Sequence, residues 1–168
     1  MSTEATNPTQ WRNPTAPERR RILDSTRSIA MVGASPNPAR ASNFVATYLL
    51  SSTRYDVYFV NPFAEEILGR PVYKTLADVP VVPDLVEVFR KPADLPGVLD
   101  ETLALGDGVT TFWLQFGLFD ADLARRAEAA GKEVVMDLCV KVEHARFHGG
   151  LHLAGFDTGF ISSRRRTA

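Results

Sequence analysis

Five short apolar runs, at residues 29–32, 56–60, 85–89, 110–114 and 133–136, recur along the chain with helix-compatible segments between them. Runs of this length, rich in Val, Phe and other strand formers, read as strands buried on both faces. Such strands, separated by helices, belong to a parallel sheet whose right-handed crossovers lay helices on both sides. The expectation is therefore a single-domain α/β fold, a Rossmann-like, doubly wound parallel sheet of five strands in the order 3-2-1-4-5. In that order the sheet reverses direction beside strand one, and ligands bind at the carboxyl ends of strands there.

The segments between the runs fit helices and turns. Residues 43–50 read as helix one. Asp94 is a good N-cap, Leu95, Leu99 and Leu103 fall on one helical face, and Gly106 and Gly108 end that helix. Asp120 caps a further helix through Ala130, stopped by Gly131, and a last turn or short helix runs to Arg146. Residues 67–73 read as a short excursion around Gly69, and 76–80 as at most one helical turn. Residues 18–26 make a short helix after Pro17, its three arginines taken as a solvated face rather than a nucleic-acid patch. Residues 1–17 are polar and proline-bearing and read as a loose arm that Trp11 could dock. Residues 148–168 read as an irregular tail ending in three arginines.

Charge and cysteine usage narrow the function classes. Lys+Arg 19 against Asp+Glu 20 give a net charge of -1, so there is no global field to gather nucleic acid or acidic membrane. A single cysteine excludes an internal disulfide and fits a reducing compartment. No apolar run approaches ~18 residues, and the N-terminus lacks the basic-then-apolar order of a signal peptide, so a cytoplasmic protein is expected.

The carboxyl end of strand one carries the chemistry. Gly33-Ala34-Ser35 follows the strand, and Arg40-Ala41-Ser42 leads into helix one. Strand, glycine turn and helix N-terminus in that order form an anion site, because free N–H groups and the positive end of the helix dipole converge there. Gly33 admits close backbone approach and Arg40 adds a full charge. A phosphate or diphosphate ligand is one reading; a plain strand-to-helix turn with a solvated arginine is the other. The loop has one glycine rather than G-x-G-x-x-G, and strand two ends in Asn61-Pro62 with no acid for ribose hydroxyls. An acid there would repel a phosphorylated ribose, so its absence permits a 2′- or 3′-phosphate. No P-loop pattern supports ATP hydrolysis.

Several motifs together resemble a known family. Gly33-Ala34-Ser35 with Arg40-Ala41-Ser42, then Val60-Asn61-Pro62, Leu68-Gly69-Arg70-Pro71-Val72-Tyr73, Val88-Phe89-Arg90, Trp113-Leu114-Gln115-Phe116-Gly117 and residues 135–144 occur in order. They resemble the small CoA-binding proteins of bacteria and archaea, themselves similar to the N-terminal CoA-binding domain of the succinyl-CoA synthetase α subunit. The resemblance covers about residues 18–147 and departs at Leu138, where relatives commonly carry a basic residue before the cysteine. It implies coenzyme A or an acyl-CoA as ligand. Gly33, Ser35 and Arg40 would hold its phosphates, with Ala34 between them in the loop, and Asn61 and Pro62 would flank its adenosine. Phe89, Arg90, Trp113 and Gln115 would follow the pantetheine arm. Phe89 and Trp113 also read as core, Arg90 as solvated, and Gln115 as a loop tie.

The leading expectation is a non-catalytic CoA or acyl-CoA binder. An NAD(P)-linked oxidoreductase or redox-sensing protein is the alternative, and a scaffold with a vestigial pocket the third. Ser35 has no evident general base. His144, His148 and His152 are interrupted by Gly149-Gly150, so no metal is expected. The partner expected is the small-molecule CoA ligand, with no nucleic acid and no membrane; a homo-oligomer or a protein partner stays open. Cys139, on the same sheet edge, reads either as a thiol that exchanges with CoA disulfide or as a small inert core residue.

Overall fold

The structure is a computed structural model describing residues 10–149. In chain order its elements are α1 (Ala16–Ser25), β1 (Ser28–Val32), α2 (Ala41–Ser52), β2 (Asp56–Val60), β3 (Glu66–Ile67), β4 (Arg70–Tyr73), β5 (Leu85–Val88), α3 (Leu95–Ala104), β6 (Thr111–Leu114), α4 (Ala121–Ala129), β7 (Glu133–Val135) and α5 (Val140–Phe147). They build one sheet in the order β3-β4-β2-β1-β5-β6-β7. Every neighbouring pair is parallel except the β3–β4 hairpin.

The α/β class and the largely parallel sheet agree with the sequence, but two expectations are corrected. The sheet has seven strands, not five, because the excursion at residues 67–73 pairs into it. Leu68 and Gly69 both take positive φ, 49° and 75°, the backbone of a two-residue hairpin turn, and this folds β3 back on β4. The order 3-2-1-4-5 also fails for the five runs as read. The third run, β5, lies against β1, while the position outside β2 is taken by β4. β4 escapes a hydrophobicity reading because it is half-exposed, with Arg70 and Pro71 facing solvent. The reversal still falls beside β1, between β1 and β5.

Strand alternation feeds two cores. Ala30, Val32, Val86, Val88, Phe112 and Leu114 pack with Leu95, Leu99, Leu123 and Ala127 of α3 and α4. Ile29, Met31, Phe59, Leu85 and Trp113 pack with Ile22, Val45, Leu49 and Val140 of α1, α2 and α5. At roughly 1.5–3 kcal/mol per fully buried large apolar side chain, these faces hold the strand ends that form the site.

The N-terminal region is tied down more than a loose arm suggests. From Trp11 on, the indole meets Phe119 edge-on at 5.7 Å and donates to Glu128. Asn13 exchanges two 2.8 Å hydrogen bonds with the backbone of Met136, prolonging the exposed edge beyond β7. α1 starts at Ala16 behind a capping box of Thr15 and Glu18. Its arginines are paired rather than merely solvated: Arg19 with buried Glu143 at 3.0 Å, Arg21 with Glu133 at 2.5 Å, Arg20 with Asp24 at 3.6 Å. The expected tail beyond Gly149, with His152 and the terminal arginines, lies outside the described residues, as do residues 1–9. Among the described residues no helix is long and apolar enough to cross a membrane.

Candidate functional site

Parallel register brings the strand ends level. Val32 pairs with Val60 and Val88, and Val88 with Leu114. Gly33, Asn61, Phe89 and Gln115 therefore emerge side by side at the carboxyl edge. Gly33 N–H donates to Val60 O at 3.0 Å and Phe89 N–H to Val32 O at 2.8 Å, so the loops are stitched across the sheet's reversal.

Gly33 has φ 88°, and a Cβ there would sit 2.7 Å from the carbonyl oxygen of Phe89. No side chain fits, which is the physical reason for glycine at this turn. The loop after it is preorganised. Ser35 N–H donates to Ser42 Oγ at 3.1 Å, Asn43 Nδ2 to Ser35 O at 3.1 Å, and Ala39 N–H to Asn37 Oδ1 at 2.9 Å. Arg40 is the N-cap of α2, and its side chain makes no capping bond. A guanidinium cannot accept, so Arg40 leaves the first N–H groups of α2 without a cap from its own side chain. Among the described residues Arg40 is left without an ion-pair partner.

Two cavities meet over Gly33. One, of about 330 Å³, is lined by Gly33, Ser35, Arg40, Ala41, Ser42, Phe89, Arg90, Gln115, Phe116 and Leu118. The other, of about 460 Å³, runs past Val32, Val60, Pro62, Lys74 and Thr75 to Asp94 and Glu101 of α3. Gly33 and Arg90 border both. Asp94 is the N-cap of α3 as expected, but its side chain makes no capping bond and instead accepts from the Arg90 guanidinium at 3.0 Å. Gln115 lines the cleft, but its Oε1 is shielded from solvent and among the described residues has no hydrogen-bond partner. A buried acceptor without a donor costs about 1–3 kcal/mol.

Of the expected site residues, Gly33, Ser35, Arg40, Phe89, Arg90 and Gln115 line the first cavity, and Pro62 the second. Ala34 and Asn61 support the cleft from behind. The carboxamide of Asn61 donates to Ala34 O at 2.7 Å and accepts from Phe63 and Ala64 N–H. Trp113 is corrected: it is fully buried under α2 and α5 and donates to Leu138 O at 2.7 Å, so it is core and not a ligand wall. Cys139 is the N-cap of α5, half-buried against the same core, and lines neither cavity. Phe116, Leu118, Lys74 and Thr75 were missed. Phe116 could have been found from its place after strand four; Lys74 required knowing that β4 joins the sheet.

Beneath the cleft, Glu87 of β5 is wholly buried between Met31 and Trp113, and among the described residues neither carboxylate oxygen has a partner. Burial alone pushes its carboxyl up to about 8, so the neutral acid dominates at pH 7. His144 and His148 stack at 4.2 Å, bonded to Tyr48 and Asp24, and border a separate cavity with Arg54 and Asp56. Among the described residues no His, Cys, Asp and Glu cluster has metal-binding geometry.

The comparisons point the same way as the cleft. A family model described as CoA binding domain matches residues 27–145. The protein YneT of Bacillus subtilis (strain 168) is 37% identical over 133 residues, 79% of this chain and 96% of YneT. A solved hypothetical protein from Pyrococcus horikoshii OT3 superposes with a TM-score of 0.76 at 35% identity, over 83% of this chain and 99% of that one. An acetyl-coenzyme A synthetase 1 of Ca. Korarchaeum cryptofilum, solved with phosphate and ADP, matches at 29% identity and TM-score 0.57. That match covers 64% of this chain and 25% of the synthetase.

Proposed function

This chain belongs to the CoA binding domain family, and from that premise we propose that it binds coenzyme A or an acyl-CoA non-catalytically along the carboxyl edge of its sheet. The observation that carries the proposal is the cleft over Gly33, where the α2 N-terminus, which Arg40 does not cap, and Arg40 itself, without an ion-pair partner among the described residues, face one cavity. The fit is chemical. Gly33 lets the Phe89 backbone close against the turn, and Ala41 and Ser42 N–H groups with Arg40 supply donors and charge for a diphosphate. Pro62 and Val60 offer an apolar bed for adenosine in the second cavity. Phe89, Phe116 and Leu118 flank the pantetheine path. A nicotinamide dinucleotide is less well served, because Asn61 stands where an acid would read the ribose and its amide is already committed.

A binding role without turnover fits the groups in the cleft. Among the described residues its lining carboxylates are Asp94 and Glu101, Asp94 is paired with Arg90, and no histidine lines it. Ser35 Oγ accepts from Asn37 N–H and has no adjacent base. Calorimetric titration with CoA, acetyl-CoA, NAD and NADP tests the proposal. CoA and acetyl-CoA are expected to bind and to be recovered chemically unchanged; NAD and NADP are expected to bind far more weakly. Absence of heat with CoA, equal affinity for NAD, or conversion of acetyl-CoA overturns it.

A further inference from the structure

β4 is the strand that the apolar pattern did not announce, and it places a charge where this fold reads ribose. Tyr73 pairs with Val60, and Asn61 N–H donates to Tyr73 O at 2.9 Å. Lys74 therefore leaves the sheet beside Asn61, one strand spacing away, about 4.8 Å. In dinucleotide folds the residue at the end of the second strand reads the ribose hydroxyls. Here that residue is Asn61, and its carboxamide is taken up by Ala34, Phe63 and Ala64.

The charges of the second cavity are unevenly placed. Asp94 and Glu101 stand on its α3 wall, and Arg90 is paired with Asp94. On the β4 wall, Thr75 is occupied by Asp78, which accepts from both its N–H and its hydroxyl. Lys74 donates only to the carbonyl of Ala64, at 3.2 Å, and among the described residues has no carboxylate partner. An ammonium has three donors, so two remain for a ligand. The α3 wall repels an anion, and the β4 wall attracts one.

We propose that Lys74 is a specificity-determining residue that reads a phosphate on the adenosine ribose, so that the site selects 3′-phosphorylated CoA over dephospho-CoA. This rests on the CoA reading of the cleft and adds the basis of its selectivity. Lys74 is exposed, so arginine there would keep the charge, and alanine would remove it at the loss of one exposed hydrogen bond to Ala64.

The test is calorimetric titration of wild type, Lys74→Ala and Lys74→Arg with CoA and with dephospho-CoA, after confirming that all three melt alike. A charge-assisted contact to phosphate predicts that wild type prefers CoA by roughly tenfold or more. Lys74→Ala is expected to lose that preference by weakening CoA while leaving dephospho-CoA unchanged, and Lys74→Arg to keep it. If wild type binds both ligands equally, or if Lys74→Ala weakens both alike or neither, the role of Lys74 is overturned while CoA binding stands. If wild type binds neither ligand, both proposals fall.

Discussion

Replacing Glu87 by Gln tests whether an ionisable group is stored neutral in the sheet beneath the cleft. Glu87 is wholly buried, unpartnered, and held up to about 8 from an ordinary 4.5 by burial. The folded state therefore holds this proton more tightly than the unfolded chain. The sign follows: stability is full below pH 4.5, falls as pH rises toward about 8, and levels off above it. At about 1.4 kcal/mol per pH unit, the full fall is about 5 kcal/mol, of which about 3 kcal/mol is already lost at pH 7. Gln has nearly the same shape and does not titrate. Its extra N–H donors, if unmet, cost about 1–3 kcal/mol, but at every pH alike. Urea unfolding of wild type and Glu87→Gln between pH 5 and 9 then gives a difference curve in which other titrations cancel. The expected curve moves in favour of Gln by about 1.4 kcal/mol per pH unit up to pH 8 and is flat above. A difference independent of pH would refute the neutral buried acid.

Arg40→Ala is expected to weaken CoA binding by ~1–3 kcal/mol, the range of a lost charge-assisted contact, as read by calorimetry; unchanged affinity removes Arg40 from the site. Gly33→Ala forces a Cβ to 2.7 Å from Phe89 O at a φ of 88°, so a thermal melt should show a loss of at least ~1–2 kcal/mol together with loss of ligand binding. A melt and affinity like the wild type's would show that the turn relaxes freely. Because Cys139 lies against the core and outside both cavities, Cys139→Ser is expected to hold CoA affinity within about twofold, and oxidised CoA to leave the intact mass unchanged. A mass gain of one CoA, absent in Cys139→Ser and reversed by reductant, would instead establish exchange of the thiol into the CoA disulfide.

Much of the site can be read from residue order because it is covalently fixed to strand ends. Val32 ends a buried strand, so Gly33 must lie at its carboxyl edge, and Ser35 and Arg40 must lie between that edge and α2. The same adjacency places Phe89, Arg90 and Gln115. What depends on lateral pairing could not be read this way. β4 has no double-faced apolar signature, so only its bonds to β2 reveal it as a strand and bring Lys74 beside Asn61. Trp113 has the same aromatic identity whether it faces a ligand or the core; α2 and α5 packing over that face made it core. Glu87 stands among apolar neighbours in a strand that reads as buried, yet its lack of any partner emerges only when Met31 and Trp113 close on either side. Local sequence determined which segments are strands, turns and helix starts, since those follow from side-chain periodicity and backbone sterics. Strand order, desolvation and charge pairing were decided by contacts between residues far apart in the chain, which only the tertiary structure contains.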